Sequence, residues 1–157
     1  MQPVKSCLAE WTINFLKNRD IFFRKIQSID TQPDSADFVI NYKDGRKQRF
    51  LVLESLNDIE VALAEFDTAS YLGIATVNSN SNFDILIEKW EFLIKYSNLI
   101  IYFVNPFSSL EKKWAVHPST HNKIASLSSM KPGLRALSET AEPITAEILA
   151  QKIKAQT

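Results

Sequence analysis

Three acidic residues stand where a divalent metal could be held. Glu10 lies in an amphipathic N-terminal segment, Asp37 opens a β-rich run, and Glu54 closes the next one. Divalent cations such as Mg2+ take oxygen ligands, and a metal held by carboxylates can activate water for phosphodiester hydrolysis. Hairpin register decides whether Asp37 and Glu54 meet. With Asp44-Gly45 as a two-residue turn, Lys43 pairs with Arg46 and Asp37 falls opposite Val52. Glu54 then shares a face with Asp37, one diagonal step away, at roughly 7–8 Å between Cα atoms. A longer turn that changes the pairing parity separates them.

Other residue types offer weaker chemistry. Lys43, Arg46, Lys47 and Arg49 form the densest basic cluster and could contact phosphates, although charges at a hairpin tip also discourage sheet-to-sheet pairing. His117 and His121 are four apart, a spacing that holds zinc only on a continuous helix with a third ligand. Pro118 and a cap at Thr120 place His117 before the helix, so ordinary loop hydrogen bonding is expected. Trp11 and Trp90 fall on apolar helical stripes and read as core, which leaves Trp114 as a surface stacking candidate. Cys7, the only cysteine, permits no intrachain disulfide and lies on an apolar helix face, where an inert thiol is expected. Phosphate-cradling loops need clustered glycines, and this chain has only Gly45, Gly73 and Gly133.

These residues must be positioned by one modest domain. The 157 residues suffice for a single core, and 45% hydrophobic with 23% charged residues is ordinary for a globular chain. Eighteen basic residues balance eighteen acidic ones, so no global field draws the chain to nucleic acid or to a membrane. No apolar run reaches the roughly 20 residues of a spanning helix, and no basic-then-apolar leader opens the chain, so a cytoplasmic location is expected.

Val4, Cys7, Leu8, Trp11 and Phe15 share one helical face, which predicts a helix over residues 4–18. A first strand is expected over 21–29 after a turn at Asn18-Arg19-Asp20. The runs 37–42 and 48–53 flank Lys43-Asp44-Gly45-Arg46 and read as a hairpin. Asn57 and Glu60 suggest a capping box opening a short helix. A strand is expected at 71–77, then a helix capped by Ser81 or Asn82 with Phe83, Leu86, Ile87, Trp90 and Ile94 on its apolar stripe. The run 99–104 reads as a strand buried on both faces, and 113–116 as a further strand. A helix from Thr120 to about 127, a polar loop at 126–132 and a last helix over 145–154 complete the chain. This order implies an α/β domain over 1–127 with a mixed sheet, its later strands parallel, and a C-terminal extension over 128–157, docked or mobile.

The element order over residues 4–104, with Glu10, Asp37 and Glu54 in their places, resembles the PD-(D/E)xK nuclease superfamily, which includes restriction endonucleases and archaeal Holliday-junction resolvases. The resemblance implies a restriction-endonuclease-like three-layer sandwich. It maps the metal-binding acids onto Asp37 and Glu54 and the helical acid onto Glu10. The family's lysine, two residues past the second acid, is replaced by Leu56. The expectation is a catalytically degenerate nuclease-like domain acting as a binding or assembly module, with no cofactor. The alternatives are an active Mg2+-dependent nuclease using Asp37 and Glu54, and an unrelated α/β protein-interaction domain. Nucleic acid or a protein is the expected partner. Leu134, Leu137, Ile148, Leu149 and Ile153 of the tail serve to cover the core or to mediate self-association.

Overall fold

A computed structural model describes residues 3–156. The first helix, α1 (Pro3–Phe23), buries Val4, Leu8, Thr12 and Leu16, a stripe at four-residue spacing. It runs past the expected turn at Asn18-Arg19-Asp20. The reversal comes instead at Arg24, whose φ is 51°, and the Asp20 carboxylate accepts the amides of Lys25 at 2.7 Å and Ile26 at 3.1 Å. Ile21, Phe22 and Phe23 therefore belong to the helix and face solvent, and β1 (Ile26–Asp30) keeps only the second half of the expected strand. Their β-branched and aromatic side chains favoured a strand, but the capped reversal fixes the boundary later.

The hairpin forms from β2 (Phe38–Tyr42) and β3 (Lys47–Leu53), with a different register. Phe38 pairs with Phe50 and Asn41 with Lys47, and the Tyr42 amide donates to the Arg46 carbonyl at 2.9 Å. The loop is thus the three residues Lys43-Asp44-Gly45, with Gly45 at φ 92°, where a side chain would be strained. This is the longer turn that reverses the pairing parity.

A 3₁₀ turn (Leu56–Asp58), α2 (Ile59–Leu63), β4 (Tyr71–Val77), α3 (Asn80–Glu88), α4 (Trp90–Leu93), β5 (Leu99–Val104) and β6 (Lys113–Val116) follow. The caps differ from expectation. Ser55, not Asn57, caps the 3₁₀ turn, and Ser79 caps α3 by accepting the Asn82 amide at 3.1 Å. Next, α5 (Pro118–Ile124) starts at Pro118, because proline's missing N–H is no loss in a first helical turn. The segment expected as polar loop is the start of α6 (Leu127–Ser138), which carries Pro132 within it and buries Leu134. The last helix is α7 (Ala146–Ala155), capped by Thr145.

The six strands lie in chain order in one mixed sheet. Strands β3, β4 and β5 are parallel, whereas β1–β2, β2–β3 and β5–β6 are antiparallel. Side-chain alternation splits the core into two layers. Phe38, Phe50, Val52, Ala75 and Tyr102 pack under α1 and α7, while Leu72, Ile74, Ile101 and Phe103 pack under α2, α3, α4 and α6. The result is an α/β/α sandwich. No described helix is long and apolar enough to cross a membrane.

The C-terminal extension joins both layers. Leu134 and Ala141 belong to one core, and Ile144 and Leu149 to the other, so the chain between them passes over the sheet's end. Two asparagines hold it there. Asn78 and Asn105 directly follow Val77 and Val104, which pair across β4 and β5. Asn78 donates to the Ala141 and Glu142 carbonyls at 3.2 and 3.1 Å, and Asn105 to the Glu142 carbonyl at 2.9 Å.

Candidate functional site

Asp37 is placed by the backbone entering β2, where its amide donates to the Phe50 carbonyl at 2.9 Å. Each oxygen of its carboxylate has a partner. Oδ2 accepts the Val52 amide at 2.7 Å, and Oδ1 meets Lys5 Nζ at 2.9 Å. The Asp37 side chain is 18% exposed and that of Lys5 35%. A charge-assisted bond and an ion pair from two directions tie α1 to the start of the hairpin. A metal at Asp37 would have to share a carboxylate whose two oxygens each already have a partner.

Glu54 directly follows β3 at the same end of the sheet. Its backbone carbonyl accepts Asn82 Nδ2 at 3.0 Å, and among the described residues no hydrogen bond or ion pair engages its carboxylate. The three-residue loop removes the two-residue-turn register that put Glu54 on Asp37's face. Glu10 is exposed, and two residues of helical rotation, about 200°, separate it from buried Leu8. It therefore lies on the side of α1 turned from the sheet. Among the described residues no three His, Cys, Asp or Glu side chains group closely enough to hold a metal. Leu56 is fully buried, so the position two past Glu54 is a core site.

A basic side chain does reach this end of the sheet, from α1. Lys5 follows buried Val4 and precedes buried Leu8 by three, which puts it on the flank of the buried stripe. That position was legible in the sequence; its pairing with Asp37 was not.

The hairpin's basic cluster is divided. Arg46 lines a cleft at the opposite end of the sheet, whereas Lys47 and Arg49 line a separate hollow with Asp30 and Asp34. Lys43 sits exposed in the loop, its amide donating to the Lys25 carbonyl at 2.9 Å. Arg46 thus opens on a different hollow from Lys47 and Arg49, with Lys43 in the loop.

Trp114 is core rather than surface. It is 1% exposed, stacks on Phe103 at 4.2 Å and donates its indole N–H to Asn78 Oδ1 at 2.8 Å. Cys7 is half-buried, and burial together with the charge of Glu10 pushes its thiol pKa up, which disfavours the reactive thiolate. His121 Nδ1 lies 2.9 Å from the His117 carbonyl, a local contact at the helix start.

The most heavily bonded polar side chain, Asn82, was read only as a cap. It is 2% exposed and ties its own helix to two other chain segments, 54–56 and 76–77. Its Nδ2 lies within 3.0 Å of the Glu54 carbonyl, Thr76 Oγ1 and the Val77 carbonyl, and its Oδ1 accepts the Leu56 amide at 3.0 Å. The repeated Val-Asn at the ends of β4 and β5 was the signal available for Asn78 and Asn105.

The fold and this polar end define a mixed-sheet α/β/α protein. No protein-family model, no curated protein and no solved structure matches the chain.

Proposed function

We propose that this chain is a nuclease-like α/β domain that binds without cutting. The order of helix, three-strand meander, helix, strand, helix and strand, laid out in one consecutive mixed sheet, supports the nuclease-like part of the reading. One observation carries the rest: Lys5 and the Val52 amide take both oxygens of Asp37. A carboxylate neutralised in this way serves to hold elements together, and buried Leu56 offers no lysine to assist a nucleophile. The domain then acts through its surfaces, as a binding or assembly module.

A second reading, an active Mg2+-dependent nuclease, is favoured by the unengaged Glu54 carboxylate and by Lys5 as a lysine supplied from α1. It requires Lys5 to swing from Asp37 to a nucleophilic water. A cleavage assay separates the readings. Single- and double-stranded DNA and RNA are incubated with the full chain in Mg2+ or Mn2+. No cleavage above that of an Asp37→Ala, Glu54→Ala variant is expected. Metal-dependent cleavage abolished by either substitution alone, and by Lys5→Met, would establish the second reading.

A further inference from the structure

The end of the sheet opposite Asp37 carries a cleft of about 380 Å³. It opens where β3, β4 and β5 begin and β2 and β6 end, beneath the last turns of α1. Its volume lies at the small end of ligand pockets, about 300–1,000 Å³. Arg19, Lys25 and Arg46 line it, and no aspartate or glutamate does. In a chain of zero formal net charge, Arg19 and Lys25 face one concavity without a lining carboxylate and set up a local positive field, which Arg46 joins while paired with Asp44 at 2.7 Å.

The cations are held in place by aromatic rings. Arg46 lies between two tyrosines, its guanidinium carbon 5.2 Å from the ring centres of both Tyr42 and Tyr71. Asp44 takes its Nε at 2.7 Å, an orienting bond made outside the cleft lining. Arg19 is steered by buried Tyr102, whose hydroxyl accepts from Nη1 at 3.5 Å, and lies over Phe15 at 5.5 Å. Tyr42 in turn donates to Gln48 Oε1 at 2.8 Å. Preorganised guanidinium groups suit phosphate oxygens, since their planar forks give paired, directed donors. Tyr71 is the exposed ring, at 39%, and with Arg46 over one of its faces a planar ligand would take the other.

We infer that this cleft binds a nucleotide, its phosphate held by Arg19, Arg46 and Lys25 and its base laid on Tyr71. The volume holds one nucleotide unit, either a free mononucleotide or one residue of a single strand. The site stands independently of the nuclease-like reading, because Asp37 and Glu54 lie at the other end of the sheet.

The test is calorimetry on the full chain with adenosine 5′-monophosphate, inorganic phosphate, adenosine and a short single-stranded oligoadenylate as separate titrants. Saturable binding of the monophosphate is expected, with phosphate and adenosine each weaker. Arg19→Gln and Arg46→Gln should each lower affinity by about tenfold or more, as loss of a charge-assisted contact does. Tyr71→Ala should cost about tenfold, and Tyr71→Phe little. Lys47→Gln with Arg49→Gln, in the neighbouring hollow, should bind like wild type. An oligoadenylate that binds more tightly with the same variant pattern assigns the site to a strand; equal affinity assigns it to the free nucleotide. Urea midpoints of all variants confirm folding. No saturation by any titrant at millimolar concentration overturns the inference, as does wild-type binding in the arginine variants or equal loss in the Lys47, Arg49 variant.

Discussion

Replacing Asp37 distinguishes a clasp from a metal ligand by stability alone. Asp37→Ala removes the acceptor of the Val52 amide at 2.7 Å and the partner of Lys5 at 2.9 Å. A hydrogen bond to a charged acceptor contributes about 1.5–3 kcal/mol, and here the loss leaves the Val52 N–H unpaired beside a 1% exposed side chain. The ion pair is partly exposed on both sides and adds up to about 1 kcal/mol. The expected loss is therefore about 2–4 kcal/mol. At a urea slope of about 2 kcal/mol/M this lowers the midpoint by roughly 1–2 M. Asp37→Asn retains an oxygen for the Val52 amide and should lose only about 1–2 kcal/mol. Lys5→Met keeps its packed stem and should lose about 1 kcal/mol or less, with the loss shrinking in high salt. The double variant Lys5→Met, Asp37→Asn should show a coupling of about 0.5–1 kcal/mol. Equilibrium urea unfolding, followed by tryptophan fluorescence and circular dichroism, measures the wild type and all four variants. Functional carboxylates are commonly held at a stability cost, so removing one leaves a protein as stable or more so. An Asp37→Ala variant with an unchanged or raised midpoint would refute the clasp.

Three further outcomes follow from the packing. Gly73→Ala places a methyl inside the ring of Phe50, which is stacked between Phe38 at 4.7 Å and Tyr102 at 6.2 Å and has nowhere to retreat; thermal unfolding should show a loss of about 1–3 kcal/mol, partly relieved by Phe50→Leu. Asn82→Asp sets a buried carboxylate against the Glu54 and Val77 carbonyls and should cost at least about 3–5 kcal/mol, read as a collapsed urea midpoint or loss of soluble protein, whereas an unperturbed midpoint would remove Asn82 from its role as hub. Burial first, then the charges of His121 and Arg19, lower the His117 pKa, so the unfolded chain takes up its proton first as pH falls. The stability from neutral His117 is present above about pH 6.5 and is lost as pH falls through the folded value, and His117→Gln should flatten the decline in urea midpoint below about pH 6.5.

Much of the architecture was legible because hydrophobic periodicity wrote it locally. The strands over Tyr71–Val77, Leu99–Val104 and Lys113–Val116 fall where their apolar runs put them. Boundaries failed where a single polar side chain decided them. Asp20 carries α1 to Phe23 by capping the reversal behind it, and Ser79 rather than Ser81 or Asn82 opens α3. Local composition is silent on such bonds until the chain is folded. The candidate carboxylates were visible as residue types, but their relation turned on one residue of loop length. Asp44-Gly45 suits both a two-residue turn and the observed three-residue loop, and the two differ in which face every later residue meets. Lys5 at Asp37 and the gathering of Tyr42, Tyr71 and Tyr102 around Arg19 and Arg46 link residues far apart in the chain, where no spacing rule reaches.

The most direct measurement is a calorimetric titration of Mn2+ into the wild-type chain, with Asp37→Ala and Glu54→Ala in parallel. If Asp37 is a clasp, wild type gives no saturable heat and the variants match it. Saturable binding to wild type that disappears in both variants would show the two carboxylates sharing a metal, and would contradict a domain that binds without cutting.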